Sequence, residues 1–541
     1  MSTLRVNTIT NNGSAVDLPQ KFKVGGNSVE QGYTSSGTEP SSPSIGDFWW
    51  DSVNSKLYRY IDGAFKELSF PSGATASTTG WFNRLTYSNI TSATGSNMYP
   101  LPNSISSDSS GNIYVVGSDE GRNVGLFTKL DTDGNHQWSK AFGTNSYYAR
   151  INNGIVSSDD TKLFLCGHDY GWGENYNSDQ SPDPQTALIV KVSTSDGSLD
   201  SAKWLRWNTI SSNSYYTDFI DSAMDSSGNI WSCGLFSSGT GGSQDIMISK
   251  INSSLVLQGV WRITSSQNYE QAPYSINVDS DDNVYIGGWA KGTSSGSDYH
   301  AIAMKFNSSM ALQWRSICGA RAASSTGQDI FYAKPRFDST GEPYFGGYSR
   351  VGSGTYHPSV IKFDKTNGNI TWAKQFNGTA NAKYTFNMAI DSNDKIYVHA
   401  ESGTSSDRNV LAQFDTSGNI TDAHTIMTNN STTNDFGLPD AINIDSNGNV
   451  LLGYGNYAGS SYKYAPVKLP ATITAGTYTN LVITDKTHTA ATLTQNLYTH
   501  TSFSVSDVTS SFSLVDHVSG TYGPATSFQT PTVSEDLDAI S

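Results

Sequence analysis

The sequence predicts an all-β protein of repeated four-stranded units, and three observations carry that prediction. First, a stanza opening on Asp-Ser-x-Gly-Asn and running into a short apolar strand recurs seven times: DSSGNIYVVG from Asp108, SDDTKLFLCG from Ser158, DSSGNIWSCG from Asp225, DSDDNVYIGG from Asp279, DSTGEPYFGG from Asp338, DSNDKIYVHA from Asp391 and DSNGNVLLGY from Asp445. Second, each stanza continues into an apolar strand carrying one Lys at Lys129, Lys191, Lys250, Lys305, Lys362 and Lys468, with Gln413 in the sixth repeat. A tight turn and usually a Trp follow, at Trp138, Trp204, Trp261, Trp314 and Trp372. Third, charged residues are only 15% of the 541, and Gly alone numbers 50. That mix suits short strands and many turns rather than helices. A spacing of roughly 56 residues between openings is how a seven-bladed β-propeller reads in sequence.

The elements follow in chain order. Residues 1–45 alternate weakly through Leu4, Val6 and Ile9 and are expected to be an attachment segment. Residues 46–79 hold a short aromatic β module and a linker. GDFWWDSVNSKLYRYIDGAFKEL, from Gly46, reads as three very short strands with an Asp-Gly hairpin signal. Its aromatic set, Trp49, Trp50 and Tyr58 among them, is too small to form a core alone and should pack on a partner. Residues 80–470 hold the propeller. The seventh repeat stops after Lys468, and a matching outer strand, GWFNRLT around Trp81, precedes the first. The ring is therefore expected to be closed by this N-terminal strand, with GTYTNLVIT (476–484) as the rival. Residues 471–541 alternate as LVITD, SFSVSD and SFSLVD and read as a small C-terminal β appendage with a frayed acidic end.

The net charge of −15 argues against nucleic acid, which needs clustered Lys and Arg. No run of about 18 apolar residues exists, so no membrane insertion is expected. MSTLRVNTIT lacks the apolar core of a signal peptide. Cys166, Cys233 and Cys318 are expected to stay unbridged, as suits a chain folded in a reducing cytoplasm.

The turns within the stanza are short and alike, whereas the other connections are long and dissimilar. In a propeller the two kinds open on opposite faces, and binding usually lives on variable loops held by a rigid scaffold. The variable face carries Tyr170, Trp172, Tyr176, Trp207, Tyr215, Tyr216, Tyr269, Tyr299, Tyr332 and Tyr356, an aromatic set suited to sugar rings or to anchoring loops. The loop 167–185 is the longest. The Asp-x-x-Gly-Asn turns lack the Glu and the length of a calcium loop and read as hairpin turns. The recurring Lys reads as structural, since an enzyme needs one such group and not six. Asp218, Glu270, Asp329 and Asp435 recur before the first strands and are a candidate ring at a channel mouth or a repeated structural contact. No HExxH, GxSxG or phosphate loop is present, and neither metal, cofactor nor catalytic residue is assigned. A glycosidase needs only two carboxylates.

KLDTDGNHQW (129–138) and AMDSSGNIWSCG (223–234) resemble the bacterial seven-bladed β-propeller repeat family over about 390 residues, which implies a scaffold and no particular chemistry. MSTLRVNTIT, AVDLP and the module from Gly46 resemble tail-fibre-like structural proteins of tailed bacteriophages of marine type, with Phe65 where Trp is usual. The resemblance implies a virion protein whose N-terminus docks on other tail proteins, as a homo-oligomer, while the propeller binds a host surface glycan or receptor. A purely structural tail or decoration protein is the second reading, and a polysaccharide depolymerase the third.

Overall fold

The computed structural model describes residues 22–24, 27–29, 33–36, 48–51, 56–61, 64–67, 80–88, 100–119, 124–142, 148–170, 185–208, 215–238, 244–265, 270–291, 298–319, 327–351, 355–377, 386–401, 409–428, 436–458, 461–478, 481–485, 489–493, 496–497, 503–516 and 528–540. The chain divides into two compact units, Met1–Ala76 and Ser77–Ser541. In the first, Phe22–Val24 and Asn27–Val29 form a hairpin. The three strands expected of the aromatic module lie at Phe48–Asp51, Lys56–Ile61 and Ala64–Glu67. They pair antiparallel, with Trp49 opposite Tyr58, and Tyr33–Ser36 adds a parallel strand. Leu4, Val6 and Ile9 lie outside the described residues.

The second unit is a succession of antiparallel sheets, one per repeat. Sheet one runs from Pro100–Ser107 to His136–Phe142, and sheet two from Tyr148–Val156 to Leu199–Trp207. Sheets three, four, five and six end on Leu257–Ser265, Leu312–Gly319, Ile370–Asn377 and Ile420–Thr428. Sheets four and five are bridged by a short parallel contact, Asp298 with Gly327. Sheet seven comprises Phe436–Ile444, Val450–Ala458 and Ser461–Leu469, and its fourth strand is Gly80–Ser88. Trp81 stands opposite Lys468 there, the register in which Trp138 faces Lys129. The strand around Trp81 thus takes the place the sequence suggested. The rival segment pairs elsewhere: Leu481–Asp485 lies on the last strand of sheet six.

The stanza's turn chemistry explains why it recurs. Asp108 Oδ1 accepts from the backbone N–H of Ser110 (3.0 Å) and Asn112 (2.9 Å), and Oδ2 accepts from Asn112 Nδ2 (2.8 Å) and the Tyr114 hydroxyl (3.0 Å). Gly111 supplies the positive φ, +82°, that the turn requires. Lys250, Lys362 and Lys468 pair with the turn carboxylates of Asp225, Asp338 and Asp445. In sheets one to five the Lys also lies over the aromatic ring opposite it, as Lys129 does over Tyr114.

The same residues join neighbouring sheets. Trp138 Nε1 (3.2 Å) and Lys129 Nζ (3.0 Å) both donate to Thr194 O in sheet two. Trp314 and Lys305 both donate to Lys365 O in sheet five, each at 3.0 Å. Trp81 (3.1 Å) and Lys468 (3.2 Å), of sheet seven, both donate to Thr132 O in sheet one. Gly134, at φ +86°, lies so close to the Trp81 ring that a Cβ would stand 2.5 Å from it.

Residues 471–541 correct one expectation. Their described strands form no sheet of their own but run round the outer edges of the repeat sheets. Leu481–Asp485 lies on sheet six, Thr489–Thr492 on five, Asn496–Leu497 on four, Phe503–Asp507 on three and Phe512–Asp516 on two. Gln529 bridges Ala141 of sheet one, and Thr532–Ile540 pairs along all of Gly80–Ser88 in sheet seven. The acidic end is therefore a paired strand and not frayed. Ile540 is buried, and Glu535 Oε2 accepts from Asn83 Nδ2 and the His136 N–H, both at 2.9 Å. The alternation that suggested a separate sheet serves this belt. Leu481, Leu493, Phe503 and Phe512 enter the clusters between sheets, and the polar residues between them face outward.

Candidate binding site

The long connections of the variable face fall largely outside the described residues, and Trp172, Tyr176 and Tyr269 with them. Tyr170, Tyr215, Tyr216 and Tyr356 are placed on strands by their backbone, and their side chains, too, lie outside what is described. Three expected aromatics remain; the structure sets Trp207 apart and brings Tyr299 and Tyr332 into one cluster. Trp207 packs between Phe236 (4.8 Å between ring centroids) and Phe512 (4.9 Å), where it anchors the belt. Tyr299 meets Trp289 edge-on at 4.5 Å. Tyr332 lies 4.2 Å from Tyr274 and 5.5 Å from Tyr348. Burial, and then these two phenols, push the Tyr332 hydroxyl pKa well up.

The recurring acids have separate local partners. Asp218 takes a 2.7 Å bond with His168 Nδ1, and Glu270 pairs with Lys291 at 2.6 Å. Asp329 is buried, and Asp435 lies outside the described residues. None of the described three lines the cavity that lies among the sheets.

That cavity, about 430 Å³, is walled by the first strands of all seven sheets. Its charged lining is Asp221 of sheet three with Lys334 and Arg336 of sheet five. Asp221 Oδ1 accepts from Asn153 Nδ2 (2.6 Å), the Ser222 N–H (2.8 Å) and Lys334 Nζ (3.3 Å), and Oδ2 accepts from the Ile276 N–H (2.9 Å). Lys334 also donates to Ser222 O. Arg336 Nε donates to Met388 O (2.9 Å) and Nη2 to Ile442 O (3.4 Å). Burial lowers the Arg336 pKa to about 10, against the pull of Asp221, so the guanidinium is charged at neutral pH. Tyr274 and Tyr332 line the same cavity. Of the three expected aromatics whose side chains are described, Tyr332 lines it. Asp221, Lys334, Arg336 and Tyr274 were not singled out from the sequence. The available signal was KPRF (334–337), which puts two cations where the other repeats carry Ser, Asn, Ala, Ile or, once, Asp.

No family model matches the chain, and no curated protein does. Among solved structures, it is similar to hydrazine synthase of Kuenenia stuttgartiensis at 8% identity and a TM-score of 0.41, covering 70% of this chain and 97% of that one. It is similar to the polysaccharide lyase Uly1 at 10% identity and a TM-score of 0.39, covering 75% and 96%. Likeness this loose says nothing of activity.

Proposed function

We propose that the seven sheets close into one propeller and that the chain is a virion protein of a tailed bacteriophage, binding a host surface glycan or protein through its long-loop face. Closure is supported by the belt, which passes from sheet two to sheet one and then to sheet seven. It is also supported by the shared carbonyl at Thr132, which repeats between sheets seven and one the bonding between sheets one and two. The virion assignment rests on the N-terminal motifs. The observation that carries the binding reading is the half-buried aromatic trio Tyr274, Tyr299 and Tyr332, set on the buried Trp289 and Tyr348 of sheets four and five. Such rings offer apolar faces to sugar C–H groups, with nearby amides for hydroxyls. Because the belt occupies the outer edges, a partner is left the ends of the propeller rather than its rim.

The test is binding of the labelled full-length chain to candidate host cells, with and without residues 171–184, since the ends of the expected loop 167–185 belong to the strands Lys162–Tyr170 and Gln185–Ser193. Saturable binding that needs the loop is the expected result. A folded chain that does not adsorb makes the propeller a structural part of the particle.

A further inference from the structure

We infer that the cavity between the first strands of the sheets is a binding site for a small hydroxylated carboxylate of the size and kind of a sugar acid. The argument begins with what repeats. An interaction that the fold demands recurs in sheet after sheet, as the turn Asp, the strand Lys and the outer Trp do. The cavity charges do not recur. Counting back from each turn, the position of Lys334 is held elsewhere by Ser104, Asn153, Asp221, Ser275, Asn387 and Ala441. The position of Arg336 is held by Ser106, Ile155, Ala223, Asn277, Ala389 and Asn443. Two cations and one carboxylate therefore stand in a wall that the repeat fills with small or neutral residues. The balance is one net positive charge, inside a chain of net charge −15.

The remaining chemistry fits the same ligand. Asp221 engages Lys334 but leaves the Arg336 guanidinium, bonded among the described residues to two carbonyls, for an anion. Asn153 Oδ1 and Ser106 Oγ are buried without a protein partner and both residues line the cavity, so an acceptor and a hydroxyl await hydroxyl groups. Tyr274 and Tyr332 supply ring faces. The volume lies within the roughly 300–1,000 Å³ of small-molecule sites. This site shares Tyr274 and Tyr332 with the aromatic group of the loop-face reading but not the loop itself: cell adsorption with and without the loop tests one, and free ligand tests the other.

The experiment is calorimetric titration of the full-length chain with D-glucuronate, with glucose as the neutral match and inorganic phosphate as the bare anion, at constant ionic strength. Glucuronate is expected to bind saturably, at least tenfold tighter than either control. Lys334→Met should weaken it about tenfold by removing one cation, while Arg336→Lys, which keeps the charge but loses the planar fork, should weaken it less than Lys334→Met does. Asp221→Asn should tighten it several-fold, a gain that a misfolded chain does not produce. No heat from the folded wild type, glucose or phosphate bound as tightly as glucuronate, or an Asp221→Asn chain that is folded and unchanged in affinity would each overturn the inference.

Discussion

The turns at one end of the sheets and the wall of the cavity are built from the same repeated stanza, yet they behave oppositely. At the turns the chemistry recurs almost letter for letter, because six of the seven sheets meet the same need with one residue: the carboxylate of Asp108, Asp225, Asp279, Asp338, Asp391 or Asp445 accepts from two backbone N–H groups of its own turn. On the wall the residues diverge, because the cavity needs only a lining and tolerates many. Repetition therefore marks what the fold requires, and a departure from it on an otherwise permissive wall marks a site.

The belt gives the harshest way to test the structural half of this contrast. Its buried Leu481, Ile483, Leu493, Phe503, Phe512 and Ile540 are each worth about 1.5–3 kcal/mol, together comparable to the roughly 5–15 kcal/mol net stability of a domain. A chain ending before Gly476 should expose the outer edges and associate, read as a shift from a defined mass to heterogeneous aggregates in light scattering. A monodisperse truncated chain of native circular dichroism would break the comparison.

Next in size is the turn itself. The Asp338 carboxylate accepts from the N–H of Thr340 and Glu342, the Tyr344 hydroxyl and Lys362 Nζ. Burial alone would raise its pKa, but these bonds outweigh it and hold the group below the usual carboxylate value. Asp338→Ala should cost about 3 kcal/mol in urea unfolding, since Lys362 and Tyr344 lose their acceptor. Because the folded pKa is depressed, the contribution of this carboxylate is complete above the unfolded value near 4. It is lost as pH falls through the folded value.

His399 sharpens the rule by showing that an unrepeated contact is not always a site. It is buried and shares a 2.7 Å bond with Tyr454 across sheets six and seven. Burial lowers its pKa from 6.5 to about 3. Stability should therefore be full above pH 6.5 and decline as pH falls toward 3, by an amount on the order of a few kcal/mol. His399→Gln, which keeps a polar partner for Tyr454 but cannot titrate, should flatten that decline in thermal melts at pH 4 and 7. The smallest effect is expected on the wall. Ser106→Ala, at the position equivalent to Arg336, removes a hydroxyl with no protein partner and should change stability by less than about 0.5 kcal/mol.

Much of this was legible along the chain. The Asp108 to Asp445 turns, the Lys strand and the outer strand at Trp81 are local patterns set by hairpin chemistry and a two-residue period, and their repetition amplified each signal. The binding site was less legible. Trp207, expected on a ligand face, packs under the belt, and Lys334 and Arg336 passed unnoticed. A loop aromatic and an anchoring aromatic have the same sequence signature, and a cation on one strand gains meaning only from what stands opposite it.

The sequence by itself determined the all-β class, the repeat, the turn geometry and the strand that completes sheet seven, because each depends on neighbours close in the chain or on matching a repeated motif. Only the tertiary structure decided where the C-terminal strands go and which side chains share a cavity. An alternating strand pairs with any open edge, so the choice among seven edges belongs to the assembled sheets. The meeting of Asp221, Lys334 and Arg336 likewise depends on strands more than a hundred residues apart brought to one wall.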